Sequence, residues 1–508
     1  MVSSTTTATA RRRGWRWAAL FVTVALLSGC MAQQPTNSPP QAAHTLVVGA
    51  TLEPPTMNPS ASAAASIPQV LLYNVYETLV KMDAAGDLRP WLAQEWDVSA
   101  NGLVYTFRLN PAAHFASGKP VNAQAVVTSF NRIKTDPTIV SSLVDQMAVV
   151  KSTEAVDDQT VKVTLNQPSN LWLYDISSTA GIIYDPAGLA ALDTTPAGSG
   201  PFVLQSVNKG QSVVLAANTS YWGTPPRLDS VTFRFLDANA MNAAMLAGDI
   251  DVISNLQAPD AVDQFSDTSR FTVIDGTTTG EVVMALNNAR PVFQDVRVRK
   301  AISMAIDKRS LLDTVWNGKG TLIGSMAVPT DPWYEDLTSI NAYNQAEAKK
   351  LLAEAKATNL SLKLRVPTLP YATKSAQFVE SALRQIGVKV TVDELAFETW
   401  LDDVHNGGNY DMSIVAHVEA RDLRRFTDPD YYFHYDNPTF NKQFQAADEA
   451  AADDLVPLMR KAVRTLAQDA AAVWLFDLPN LVITKNTVTG VPQNAAALSF
   501  DLTTIANR

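Results

Sequence analysis

A single cysteine, Cys30, in 508 residues leaves no pair to close, so no intrachain disulfide framework holds this chain together. Histidine is nearly as scarce. His44, His114, His405, His417 and His434 are the only five, and no two of them stand four apart on one helix, as a zinc-protease motif requires. The chain has no Gly-x-Ser-x-Gly elbow, no phosphate-binding Walker loop and no Gly-x-Gly-x-x-Gly turn, and Gly318-Lys319-Gly320 follows a helical pattern and reads as a plain turn. These absences leave no recognisable catalytic constellation, and the expectation is a protein that is not an enzyme, with no cofactor and no metal site. Basic charge is also in deficit. Forty Lys and Arg face fifty Asp and Glu, a formal charge of -10, which argues against nucleic acid because that binding leans on neutralising phosphates. Long apolar runs are missing too: the only candidate, Trp17 to Leu27, is too short for a bilayer span, which takes about 20 residues.

That short run has informative flanks. Arg11, Arg12, Arg13 and Arg16 precede it, and Leu26-Leu27-Ser28-Gly29-Cys30 closes it. A basic stretch, a short apolar core and small residues at the end form an export signal. Leu-Ser-Gly-Cys resembles the lipobox of bacterial lipoproteins, which implies that residues 1–29 are a signal peptide and that Cys30 carries the lipid anchor. Losing those arginines leaves 36 basic against 50 acidic residues, a mature charge of -14. Residues 30–44 are rich in Pro, Gln, Ser and Ala without periodicity and read as a flexible tether. The expected location is outside the cytoplasmic membrane, on its outer face or in the periplasm.

Apolar content of 46% and charged content of 18% fit a globular protein with a large core. Leu46-Val47-Val48 opens the ordered part as a strand. Gln69 to Val80 places Leu72, Tyr76, Leu79 and Val80 at helical spacing. Leu103 to Leu109, Val161 to Leu165 and Val231 to Phe235 alternate with period two, as half-buried antiparallel strands do. Beyond Leu286 the pattern changes. Helices are expected over Val296–Ile306 and Ser310–Trp316, and another to Lys356 behind Asn344-Gln345-Ala346-Glu347, which has capping-box spacing. Strand Leu362–Val366, helix Thr373–Ile386 stopped by Gly387, strand Val388–Leu395, helix Phe397–His405 and strand Asp411–His417 then alternate. Strands joined through helices build a parallel sheet. The fold class is therefore α/β. Ligands of such sheets sit beyond the carboxyl ends of the strands, where His417-Val418-Glu419-Ala420-Arg421-Asp422-Leu423-Arg424-Arg425 concentrates charge of both signs.

Several strings, in one order, carry a resemblance. They are Tyr73-Asn74-Val75-Tyr76-Glu77-Thr78-Leu79-Val80, Leu88-Arg89-Pro90-Trp91-Leu92-Ala93, Tyr105-Thr106-Phe107-Arg108-Leu109, Gly118-Lys119-Pro120, Gly198-Ser199-Gly200-Pro201-Phe202, Tyr221-Trp222-Gly223, Leu246-Ala247-Gly248-Asp249-Ile250-Asp251 and Asp295-Val296-Arg297-Val298-Arg299. Together they resemble the extracytoplasmic solute-binding proteins of ABC importers, peptide/nickel family 5. The resemblance implies a two-lobed, type II periplasmic-binding-protein-like fold with an inserted subdomain, crossing strands as hinge and a ligand cleft between the lobes. Its implied limits are 45–75 and 196–284 for the first lobe, 76–195 for the insertion, 285–478 for the second lobe and 479–508 for a return to the first. Crossings are expected near Met284–Asn287 and Trp474–Ile483. Implied partners are a peptide or peptide-like ligand, the ABC permease subunits and the membrane through the lipid, with the protein a monomer.

In peptide-binding relatives an Asp ahead of an Asp-Pro captures the ligand's amino terminus, and by that resemblance Asp422 is the nearest match before Asp428-Pro429, with Glu419 its competitor. The loop Pro367-Thr368-Leu369-Pro370-Tyr371 lacks the arginine that a dipeptide-binding relative places there for the carboxylate. The cation then falls to Arg421, Arg424 or Arg425, of which the last two read as surface residues. His417 and, in the inserted region, Thr179 complete the candidate site. Trp222, Trp333 and Tyr431 are either an aromatic wall or core. A receptor for a metal chelate, an opine or a sugar conjugate is the rival within the same fold, and a surface hydrolase is the rival outside it.

Overall fold

The computed structural model describes residues 44–508, so the export signal, Cys30 and nearly all of the tether lie outside the described residues. Two strands organise the rest. Phe271–Leu286 and Ala472–Lys485 are long, antiparallel and buried over most of their length. They stand in the middle of a ten-stranded mixed sheet. To one side lie Met412–His417, Ser361–Pro367 and Lys389–Leu395, and to the other lie Val252–Ile253, Thr45–Ala50, Ser230–Phe235, Ser212–Ala217 and Phe202–Asn208. Each side carries its own apolar cores, so the long pair passes from a first lobe into a second.

The passage is marked by a break in pairing. Phe271–Thr277 is in register with Pro479–Lys485, the register slips between Thr277 and Glu281, and pairing resumes from Glu281 against Asp477. Side chains replace the missing ladder bonds. Thr278 Oγ1 donates to the Leu478 carbonyl at 2.7 Å and accepts from Gly280 N at 2.9 Å, while Thr279 Oγ1 donates to the Val418 carbonyl at 2.8 Å. The first crossing thus falls earlier in its strand than the apolar run Met284–Leu286, which lies wholly inside the second lobe. Apolarity there records burial on both faces, whereas the break needs hydroxyls.

In the second lobe, Ser361–Pro367 pairs in parallel with both Lys389–Leu395 and Met412–His417. Helix Pro370–Gln385 makes the first crossover and ends where Gly387 takes φ +88°, a conformation that costs glycine little. The second crossover starts as helix Phe397–Trp400 and widens into π-type turns over Leu401–Asn406. Asn344 caps helix Gln345–Glu354 by accepting from Glu347 N at 3.0 Å, as its spacing indicates.

In the first lobe, the helix expected over 69–80 is only Ser66–Leu71. Tyr73 turns out of it at φ +65°, and Asn74 Nδ2 donates to Val70 O at 3.0 Å and to Phe500 O at 2.9 Å, tying the C-terminal segment to this turn. Residues 70–80 are buried on every side, so their apolar spacing reflects enclosure and not a helix face. An antiparallel sheet of Ala93–Val98, Val104–Leu109, Thr160–Leu165 and Val150–Ala155 forms a separate layer. Helix Ala123–Thr135 and the buried Trp172 share its core.

Candidate ligand-binding cleft

The first-lobe strands Thr45–Ala50 and Val252–Ile253 are parallel, and the residues leaving their carboxyl ends, Thr51, Leu52, Ser254 and Gln257, face a cavity. The second lobe faces the same space from the same strand ends: Leu369 and Tyr371 after one strand, Phe397 after the next, His417 at the end of the third. The cavity holds about 240 Å3 of water-accessible space, and Leu478 at the strand crossing forms part of its lining. A solute here touches both lobes and the hinge. Most of the wall is apolar or aromatic. Phe397, Trp400 and Tyr431 form one side, with Trp400 held by donation from its Nε1 to Ser413 Oγ at 3.0 Å.

Charge enters through three residues, Glu419, Asp422 and Arg425. Arg425 Nη2 donates to Glu419 Oε2 at 2.7 Å, and its guanidinium lies 5.4 Å from the Tyr431 ring centre. Asp422 is more deeply set, with its side chain 4% exposed. Its Oδ2 is 3.5 Å from His417 Nδ1, and its Oδ1 has no hydrogen-bond partner among the described residues. Burial raises the Asp422 carboxyl above its usual range, with His417 opposing the shift and Glu419 adding to it. His417 is held from its other nitrogen by the Tyr432 hydroxyl at 2.8 Å. A buried carboxylate oxygen with no donor is costly unless a donor arrives.

Of the residues singled out from the sequence, His417, Glu419 and Asp422 meet at this cavity. Arg421 and Thr179 do not border it. The Arg421 guanidinium sits 3.4 Å from the Tyr174 ring centre, with Nε 3.8 Å from Asp331 Oδ1, turned toward the inserted layer. Thr179 is buried in a 3-10 turn, Thr179–Gly181, within that layer. Arg425 is not a surface residue but a wall of the cleft, with 11% of its side chain exposed. Arg424 is largely covered as well and pairs with Asp175 at 2.7 Å. Tyr431 does line the cleft, whereas Trp222 donates to Glu77 and Trp333 is core. The first-lobe wall, including Gln69, Ser254 and Gln257, carried no signal in the sequence, nor did His405.

The two sides are also joined away from the cavity. Asn170 Nδ2 donates to the carbonyls of Asp448 and Ala450, both at 2.9 Å, Ser169 Oγ donates to Asp448 Oδ2 at 2.9 Å, and Leu171 N donates to Asp448 Oδ1 at 3.0 Å. Leu171 itself packs into the second-lobe core.

Behind the cleft, at the register break, lies a set of buried carboxyls. Glu281 stands opposite Asp477 on one neighbouring strand and opposite His417 on the other. Burial raises Glu281 well above the carboxylate range, and Asp422, Asp331 and Asp477 push it further. Asp477 is raised by burial and by Asp331, and Asp331 itself is pushed up to about 7 by burial, against the pull of Arg421. In the unfolded chain these groups ionise near 4, so the unfolded state sheds protons that the folded state keeps. Their contribution is full below that value and is lost as pH rises toward 7. The melting temperature is therefore expected to be higher near pH 5 than near pH 7.5, by about 5 °C, and Glu281→Gln is expected to flatten that difference. Calorimetric melts of both proteins across this range check it; a parallel fall in both would remove Glu281 as the cause.

Among the described residues no cluster of three His, Cys, Asp or Glu is placed to hold a metal ion, and no helix is long and apolar enough to cross a membrane.

Comparison with known proteins accords with this geometry. Residues 87–443 match the family described as "Bacterial extracellular solute-binding proteins, family 5 Middle". The chain is 28% identical over 469 residues to the "Probable D,D-dipeptide-binding periplasmic protein DdpA" of Escherichia coli, covering 85% of this chain and 88% of that protein. It is 27% identical over 344 residues to the "Nickel-binding periplasmic protein" of the same organism, covering 63% and 65%. Among solved structures, the ABC transporter-associated periplasmic binding protein DppA from Helicobacter pylori, in complex with the peptide STSA, superposes with a TM-score of 0.83 at 21% identity, covering 92% of this chain and 98% of that one. These relatives are named as binding proteins, and the superposition places this chain in their two-lobed α/β fold.

Proposed function

The chain belongs to the bacterial extracellular solute-binding proteins of family 5, and from that premise we propose that it is the lipid-anchored receptor of an ABC importer. In this reading it captures short peptides or peptide-like solutes between its lobes and delivers them to a membrane permease, working as a monomer on the outer side of the cytoplasmic membrane and breaking no bond. The observation that carries the reading is the Asp422 carboxylate oxygen without a donor, set in a cavity whose walls come from both lobes and whose lining includes the strand crossing. A ligand ammonium answers that oxygen, and a ligand body bridging both walls stabilises the closed arrangement by its extra affinity for it. The lipid anchor rests on Cys30 and its flanks. Delivery to a permease rests on the family.

A chelated metal is the second reading, supported by the nickel-binding relative and by His405 and His417 in the lining. Mass spectrometry of the solute released from freshly purified mature protein separates the two. X-ray scattering then checks the mechanism: adding the identified solute is expected to shrink the radius of gyration. Turnover of that solute, or profiles indifferent to it, would overturn the receptor reading. A metal chelate as the released species would replace peptides by the second reading.

A further inference from the structure

The charges around the cavity are unequal in a way that bears on the ligand. Two carboxylates and one guanidinium line it, and no lysine does. The guanidinium is already engaged: Arg425 is paired with Glu419 at 2.7 Å and lies over Tyr431. The other buried cations nearby do not line the cavity: Arg424 is paired with Asp175, and Arg421 lies on the Tyr174 face with its Nε 3.8 Å from Asp331. Among the described residues the cleft therefore offers no uncommitted cation to a ligand carboxylate. It does offer an uncommitted anion, because Asp422 Oδ1 is buried and without a donor. The carboxyls behind the cleft, Glu281, Asp331 and Asp477, add no positive charge. Two imidazoles also line it: His417, held between Asp422 and the Tyr432 hydroxyl, and His405, whose Nδ1 is within 2.9 Å of Asn406 Oδ1. Everything else a ligand meets is aromatic, aliphatic or a neutral polar group such as Gln69, Ser254, Asn255 and Gln257.

Burying a charge without a partner is expensive, so the cleft discriminates by the ligand's net charge. From these contacts we infer that the solute is an amphipathic monocation: one ammonium for Asp422, an apolar or aromatic body, and an amide, ester or other uncharged group where a free peptide has its carboxylate. The inference rests on the peptide-like reading above and narrows it. A zwitterion entering the cleft has to leave its carboxylate in water at the rim or break the Glu419–Arg425 pair. Either cost exceeds that of an uncharged terminus.

Calorimetry on the mature protein with phenylalanyl-alanine and with its C-terminal amide tests this. The amide is expected to bind at least tenfold more tightly than the free acid. Glu419→Gln releases Arg425 from its internal partner, and in that variant the preference is expected to shrink or reverse, a change that general loss of folding does not produce. Equal or tighter binding of the free acid to the unaltered protein overturns the monocation inference while leaving the peptide reading standing. Binding of neither form, in a protein that still closes on another solute, overturns the peptide reading and the inference with it.

Discussion

Glu77→Ala is expected to cost the protein about 4–6 kcal/mol of stability, enough to leave much of it unfolded at 37 °C. Glu77 is fully buried, and its carboxylate is the meeting point of distant segments. Oε1 accepts from Trp91 Nε1 at 2.8 Å and from the Tyr221 hydroxyl at 2.7 Å. Oε2 accepts from Ser199 Oγ at 2.6 Å and from Trp222 Nε1 at 2.9 Å. The glycines around Ser199 make this approach possible. A Cβ at Gly198 would stand 1.9 Å from the Val75 carbonyl oxygen, and one at Gly200 would stand 2.5 Å from that of Asn74. Truncation at Glu77 orphans four donors at once, each about 1 kcal/mol or more, and opens a cavity beneath two tryptophans. Burial lifts the Glu77 carboxyl above its ordinary value, and the four donors oppose that shift without cancelling it. Glu77→Gln keeps the volume but offers one oxygen and a nitrogen that donates, so it is expected to lose about half as much. Urea denaturation of the three proteins decides the matter. A loss below about 1 kcal/mol for alanine would show that water replaces the carboxylate at no real cost.

That hub shows what in the sequence was legible and in what form. The strings around Glu77, Trp91, Ser199 and Tyr221-Trp222 stand out as a resemblance, but nothing in their spacing says that they converge on one carboxylate. Convergence is a tertiary fact. The second-lobe alternation was readable because helix Pro370–Gln385 shows a clean apolar face and Gly387 a clean stop, and both signals are local. The helix expected over 69–80 failed for the converse reason: complete enclosure imitates helical periodicity. The charged run after Met412–His417 lies at a strand end that borders the cavity, and the topology brings His417, Glu419 and Asp422 together there. The burial of Arg424 and Arg425 was not readable. For Arg424 it is created by a residue remote in sequence, Asp175 in the inserted layer, and for Arg425 by the folding of its own segment, which lays Glu419 and Tyr431 against it. Phe397, Trp400 and Gln69 carry no local mark that separates a cleft wall from a core.

The functional assignment is most exposed at Asp422. Asp422→Asn is expected to weaken binding of the released solute by about 100-fold, the scale of losing a charge-assisted hydrogen bond in a buried site. Glu419→Ala is expected to weaken it by less, about tenfold, because Glu419 acts on the ligand through the Arg425 pair and its side chain is 33% exposed. Stability should move the other way. The Asp422 carboxyl is raised by burial, so the folded protein binds a proton there more readily than the unfolded chain does, and folding loses ground as pH rises. An asparagine in its place removes that cost, so the variant should melt no lower than the parent at neutral pH while failing to bind. The same shift fixes the pH dependence of binding. An arriving ammonium favours the ionised carboxylate and expels the proton, so affinity should fall as pH drops through the range where Asp422 takes up its proton in the free protein. Titrations in two buffers of different ionisation enthalpy measure the proton released on binding directly. If Asp422→Asn and Glu419→Ala both bind the solute as the parent does, the ammonium is held elsewhere, and the buried Asp422 oxygen without a donor has no part in recognition.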